Sequence, residues 1–148
     1  MVVIAEALVQ QDRWPNHGTY NLVRNSKYMS GYVRKDRDIR VKSKDEGEWV
    51  LIGGNIAVVY LPLHKNPHEV GRILRGISRE AETIIGDLNC CGRSKKRVLE
   101  AWIEEEELQD IAREEHTHEW GRHMCRIDRV LPKGRQTMIH GGGIGVWE

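Results

Sequence analysis

The residues best suited to chemistry lie in Gly86-Asp87-Leu88-Asn89, where a carboxylate and a carboxamide follow the apolar run Thr83-Ile84-Ile85. β-Branched residues favour a buried strand, and Gly86 is expected to let the chain turn as that strand leaves its sheet. Open α/β sheets hold ligands and metals just past the carboxyl ends of their strands, so Asp87 and Asn89 are candidates for oxygen-donor chemistry there. The same spacing also suits a purely local turn, or a cap on the next helix. Other candidates come from strand ends. Glu6 is the only charge in the apolar run 1–8, and a carboxylate in that position is either solvent-facing or held at a site. Tyr60 precedes Leu61-Pro62, where proline stops strand pairing. Asp128 interrupts an alternating apolar stretch, 125–131.

The elements that must position these residues follow from periodicity and punctuation. Residues 1–8 predict a strand, 14–26 a loop rich in Pro15, Asn16, Gly18 and Asn25, and 28–33 a short strand. Residues 38–43 alternate Ile39 and Val41 with Arg40 and Lys42, a half-buried strand with a basic face. The runs 49–52 and 56–60 flank Gly53-Gly54-Asn55 as a hairpin. After a loop at 63–67, Val70, Ile73, Leu74 and Ile77 mark an amphipathic helix over 68–82. The order strand, helix, strand up to Asp87 is βαβ-like. Ser94 is the expected cap of a second helix reaching 106, with Val98, Leu99, Trp102 and Ile103 on one face. Residues 108–111 are expected to be a short extended segment, 116–122 a polar loop, and 125–131 a last strand.

The chain has 148 residues, 39% hydrophobic and 30% charged, which suits one domain. That domain is expected over 1–135, with a glycine-rich tail at 136–148. No run approaches the roughly 20 apolar residues of a membrane span, and the start lacks the pattern of a secretory signal. The expectation is therefore no membrane partner and an intracellular location, the nucleus included. The three cysteines, two of them the adjacent Cys90 and Cys91, are expected to be thiols in a reducing compartment.

Taken in order, Glu6, Tyr60-Leu61-Pro62, Gly86-Asp87-Leu88-Asn89 and Arg126-Ile127-Asp128 resemble the motifs of the endonuclease/exonuclease/phosphatase family, of the retrotransposon-type or abasic-site-type endonuclease domain. Gly86 to Asn89 is similar to its Gly-Asp-Phe-Asn turn, Tyr60-Leu61-Pro62 to its Tyr-x-Pro strand end, and Arg126-Ile127-Asp128 to its Arg-Ile-Asp strand. The family's Gln-Glu is matched in Glu6 alone, with Ala5 at the glutamine position. The resemblance implies an α/β fold, a partial α/β sandwich of mixed, mainly antiparallel sheets flanked by helices, shortened at both ends. It implies hydrolysis of a phosphodiester, with DNA as the substrate and nucleic acid as the partner. By the same resemblance Glu6 would bind Mg²⁺ or Mn²⁺, hard ions suited to a carboxylate. Asp87 would orient or deprotonate the attacking water, Asn89 would donate to a phosphate oxygen, and Tyr60 would bring a phenolic hydroxyl beside it. Asp128 would hold a catalytic histidine, but the Ser-Asp-His segment that supplies it has no counterpart in this sequence.

That gap sets up the alternative expectation, a degenerate or truncated domain without turnover that binds nucleic acid or protein. Lost outer strands would expose sheet edges and invite self-association. Arg93, Lys95, Lys96 and Arg97, just beyond the Asp87 turn, suit backbone phosphates or a solvated helix start. Zinc is disfavoured. Cys90, Cys91, His116, His118, His123 and Cys125 contain no Cys-x-x-Cys. Gly141-Gly142-Gly143 lacks the lysine of a phosphate-binding loop.

Overall fold

The computed structural model of the chain describes residues 2–5, 18–24, 29–44, 48–111, 118–120, 123–125 and 128–134. Their centre is a five-stranded sheet in the order β10-β7-β6-β5-β4. Its strands are β4 (Val41–Lys44), β5 (Trp49–Ile52), β6 (Ile56–Tyr60), β7 (Thr83–Asp87) and β10 (Asp128–Pro132). Pairing is antiparallel except between β6 and β7. That parallel pair requires a crossover, supplied by α1 (Pro67–Glu80). The fold is thus mixed α/β, its main sheet mostly antiparallel. A smaller sheet, ordered β1-β3-β2, contains β1 (Val2–Ala5), β2 (Tyr20–Arg24) and β3 (Met29–Arg34), and β1 contacts β6. β8 (His118–Trp120) and β9 (His123–Cys125) form a separate antiparallel pair.

Strand alternation divides the buried residues between the two faces of the main sheet. Trp49, Ala57, Val59, Ile84 and Leu131 pack with Val70, Ile73, Leu74 and Ile77 of α1 and with Leu99 and Trp102 of α2 (Arg93–Glu105). Val50, Ile52 and Tyr60 cluster on the opposite face with Ile39, Val41, Ile56 and Val58. The helices therefore cover one face. Tyr60 belongs to the other.

α1 starts sharply because Asn66 accepts from the Glu69 N–H at 2.9 Å while the Glu69 carboxylate accepts from the Asn66 N–H at 2.8 Å. Pro67 follows in the first turn, where its missing donor costs nothing. The Asn66 hydrogen bond also holds the Glu69 carboxyl below its ordinary range, so this contribution is lost as pH falls through that lowered value. Asn66→Ala should cost about 1 kcal/mol, read as a lower urea midpoint with an unchanged slope.

Three local expectations are corrected. β2 lies within the stretch expected to be loop, because antiparallel pairing with β3 from Tyr20↔Arg34 to Arg24↔Ser30 overrides the local turn residues. Part of the expected polar loop 116–122 is β8. Gly92, in extended conformation, is the N-cap of α2, and no side chain caps that helix, so Ser94 falls inside the first turn. The expected tail 136–148 lies outside the described residues. Among the described residues no helix is long and apolar enough to cross a membrane.

Candidate functional site

Three of the candidate side chains meet in one row across adjacent strands. Tyr60 on β6 pairs in parallel register with Asp87 on β7. Asp87 in turn pairs antiparallel with Asp128 on β10. Neighbouring strands lie about 4.8 Å apart, so the phenol and the two carboxylates share roughly 10 Å of a single face. This face is opposite α1 and α2, since Ile84 and Leu131, out of phase with Asp87 and Asp128, pack on the helices. Tyr60 is buried, Asp87 half-buried and Asp128 exposed, so the row opens to solvent along its length.

Asn89 joins the row through the loops beyond it. Its N–H donates to Asp87 Oδ1 at 3.0 Å, and its Nδ2 donates to the Leu61 carbonyl at 2.8 Å. The Leu61 N–H donates to the Asp87 carbonyl at 2.9 Å. The turn after β7 is therefore laced to the turn after β6. Asn89 has φ 43°, in the left-handed region that asparagine tolerates better than most residues. Both readings of the Asp-x-Asn spacing are realised here, a local turn and a polar strand mouth. Glu6 lies outside the described residues, although β1, which ends at Ala5, contacts β6.

Gly86 does not turn the chain out of the sheet. It pairs with Val59 inside the β6–β7 ladder at φ 147°, and a Cβ built on it would lie 2.0 Å from the Val59 carbonyl oxygen. Its role is close backbone approach, which brings β7 against β6 one residue before Asp87.

Sequence reasoning missed Glu48 and Lys65. The Lys65 Nζ lies 2.7 Å from Glu48 Oε1, with the side chains 8% and 1% exposed. The Glu48 carbonyl accepts from the Tyr60 N–H at 2.8 Å, and the Lys65 N–H donates to the Pro62 carbonyl at 3.1 Å. The buried ion pair thus joins the start of β5 to the loop leaving Tyr60. One signal was available: Glu48 is in period-two phase with buried Val50 and Ile52, the phase of an inward-facing side chain. Lys65, in a loop without periodicity, offered none.

Arg129, opposite Gly86 in the ladder, forms a second largely buried ion pair with Asp110 and ties β10 to the segment after α2. That segment, expected to be extended, pairs with β10 through hydrogen bonds from the Gln109 and Ile111 N–H groups.

The cysteines differ from one another. Cys90 is a buried free thiol that donates to the Leu88 carbonyl. Burial pushes its pKa up to about 11, so it belongs to the core and not to thiolate chemistry. Cys91 is disulfide-bonded, which corrects the expectation that every cysteine is a thiol.

Asp87 and Asn89 offer hard oxygen donors at the open end of the row. That chemistry fits Mg²⁺, which keeps several waters and takes only one or two carboxylates. Among the described residues no group of three or more His, Cys, Asp and Glu could hold a metal ion. On the rim, Arg93, Lys96 and Arg97 are exposed at the start of α2, and Lys95 Nζ donates to the Leu63 carbonyl at 2.7 Å. In comparisons with family models and with curated proteins, nothing matches this chain.

Proposed function

We propose that this chain is a metal-dependent phosphodiester hydrolase-like domain of the endonuclease/exonuclease/phosphatase type, acting on DNA as a retrotransposon-type endonuclease does. The observation that carries the reading is the convergence of Tyr60, Asp87, Asn89 and Asp128 from separate strands and turns on one sheet end. Carboxylates directly opposite each other repel, and a site that accumulates them favours a cation. Mg²⁺ or Mn²⁺, with Glu6 as a ligand, would neutralise charge on the scissile phosphate.

Within this proposal Asp87 orients or deprotonates the attacking water. Tyr60 and Asn89 meet the phosphate oxygens, and Asp128 closes the row. The fold would be a partial sandwich in which the small sheet covers the Tyr60 face, a reading supported by the β1–β6 contact. β4, at one edge of the main sheet, would be the strand open to self-association. The proposed setting is intracellular, with chromosomal DNA in the nucleus within reach.

The test is nicking of supercoiled plasmid and of an abasic-site duplex with Mg²⁺ and with EDTA, comparing wild type with Asp87→Asn. Asparagine keeps a side-chain acceptor for the Asn89 N–H. Nicking should require the cation and fall by about 10²-fold or more in the variant, as expected for loss of a general base. Equal nicking by both proteins would sink the proposal. Salt-dependent binding without any nicking would leave a nucleic-acid-binding module in its place.

A further inference from the structure

Among the described residues Leu63 is the one large hydrophobic side chain that is fully exposed, at 75%. Single exposed leucines are ordinary on protein surfaces. This one differs in how it is held. It occupies the turn closed by the Lys65 N–H on the Pro62 carbonyl. The turn is anchored on one side by the buried Lys65–Glu48 pair. On its other side Lys95 donates to Leu63's own carbonyl. Just before the turn, Asn89 binds the Leu61 carbonyl. The backbone under Leu63 is therefore fixed from several directions while its side chain stands in water.

The surroundings of this tip are cationic. Lys95 brings the start of α2 against it, and Arg93, Lys96 and Arg97 are exposed on the same first turns. Arg93 and Arg97 are one turn apart and share a helix face. Their helix has no acidic residue in its first turn, although acidic residues are the ones its dipole favours. One apolar side chain is far too small for a stable protein interface, which needs about 800 Å² from each partner. It does match the gap opened between two stacked base pairs.

We infer that Leu63 is a wedge for duplex DNA, entering a base step beside the Tyr60–Asp87 row while Arg93 and Arg97 hold the flanking phosphates. The inference rests on the proposed DNA-directed function and adds how the duplex is engaged. Apolar wedges partly unstack and kink the step they enter. Pyrimidine–purine steps yield most easily, so a TA step is the preferred site of entry. A pre-fixed tip loses little conformational freedom on insertion.

The test uses the full chain in EDTA with a duplex carrying 2-aminopurine next to a central TA step. Binding should raise its fluorescence as the step unstacks. Leu63→Ala should bind the duplex with the rise lost. The double variant Arg93→Gln/Arg97→Gln should keep the rise at saturation, with a log–log salt slope smaller by about 2. An undiminished rise in Leu63→Ala, or an unchanged salt slope in the double variant, would overturn the inference. Asp87→Asn separates the two readings, because it should lose nicking and keep the rise. Nicking that persists in Asp87→Asn defeats the hydrolase reading alone, whereas a rise that ignores Leu63 defeats the wedge alone.

Discussion

Gly86→Ala should prevent the domain from folding. An alanine methyl at this position would sit 2.0 Å from the Val59 carbonyl oxygen and 2.9 Å from the Val59 carbonyl carbon and amide nitrogen. All three are backbone atoms of the neighbouring strand, so no rotamer change relieves the overlap. Moving β7 away would break the only parallel pairing of the main sheet, from Ile56↔Thr83 to Tyr60↔Asp87. The φ of 147° adds a conformational cost that only glycine avoids. Together these place the substitution in the rare class that loses more than about 4 kcal/mol, against a total stability of roughly 5–15 kcal/mol for an ordinary domain. Circular dichroism and urea titration of the purified variant are the measurements. A cooperative transition within about 1 kcal/mol of wild type would contradict the packing described for Val59 and Gly86.

Lys65→Met should be the next most damaging change. It leaves the Glu48 carboxylate buried at 1% exposure without its ammonium partner, and Glu48 Oε2 already makes no hydrogen bond among the described residues. Breaking a buried ion pair from one side costs about 3–5 kcal/mol, whereas replacing both members by apolar residues is often neutral. Glu48→Leu combined with Lys65→Met should therefore recover most of what Lys65→Met loses. The double-mutant cycle, measured by urea unfolding, reports that recovery as a large coupling energy. Additive losses in the cycle would mean that the pair is not coupled in the folded protein. Because the Glu48 carbonyl binds the Tyr60 N–H and Lys65 anchors the turn after it, the double variant also asks whether Tyr60 keeps its place. Nicking that falls while stability is restored would assign the pair a positioning role.

Much of the scaffold was legible from residue pattern. The helical spacing of Val70, Ile73, Leu74 and Ile77 and the hairpin around Gly53 and Gly54 correspond to α1 and to β5–β6, since burial on one face imposes a period that sequence displays. Strand β2 escaped because its pairing with β3 is non-local, and residues such as Asn21 carry a local turn signal that the ladder overrides. Asp87 and Asn89 stood out because an oxygen-rich turn after a β-branched run is a local pattern.

What the sequence alone determined was thus the identity and order of the polar groups and the strand ends that carry them. Tertiary structure decided which of them meet. Register alone places Tyr60 beside Asp87 and Asp87 opposite Asp128, because a shift of one residue would send each side chain to the other face. It also decided that Gly86 serves the approach of two strands and not a turn, and that Glu48 and Lys65 neutralise each other inside the fold. Neither could be legible in sequence, because a close contact and an ion pair are distances between residues that the chain itself keeps apart.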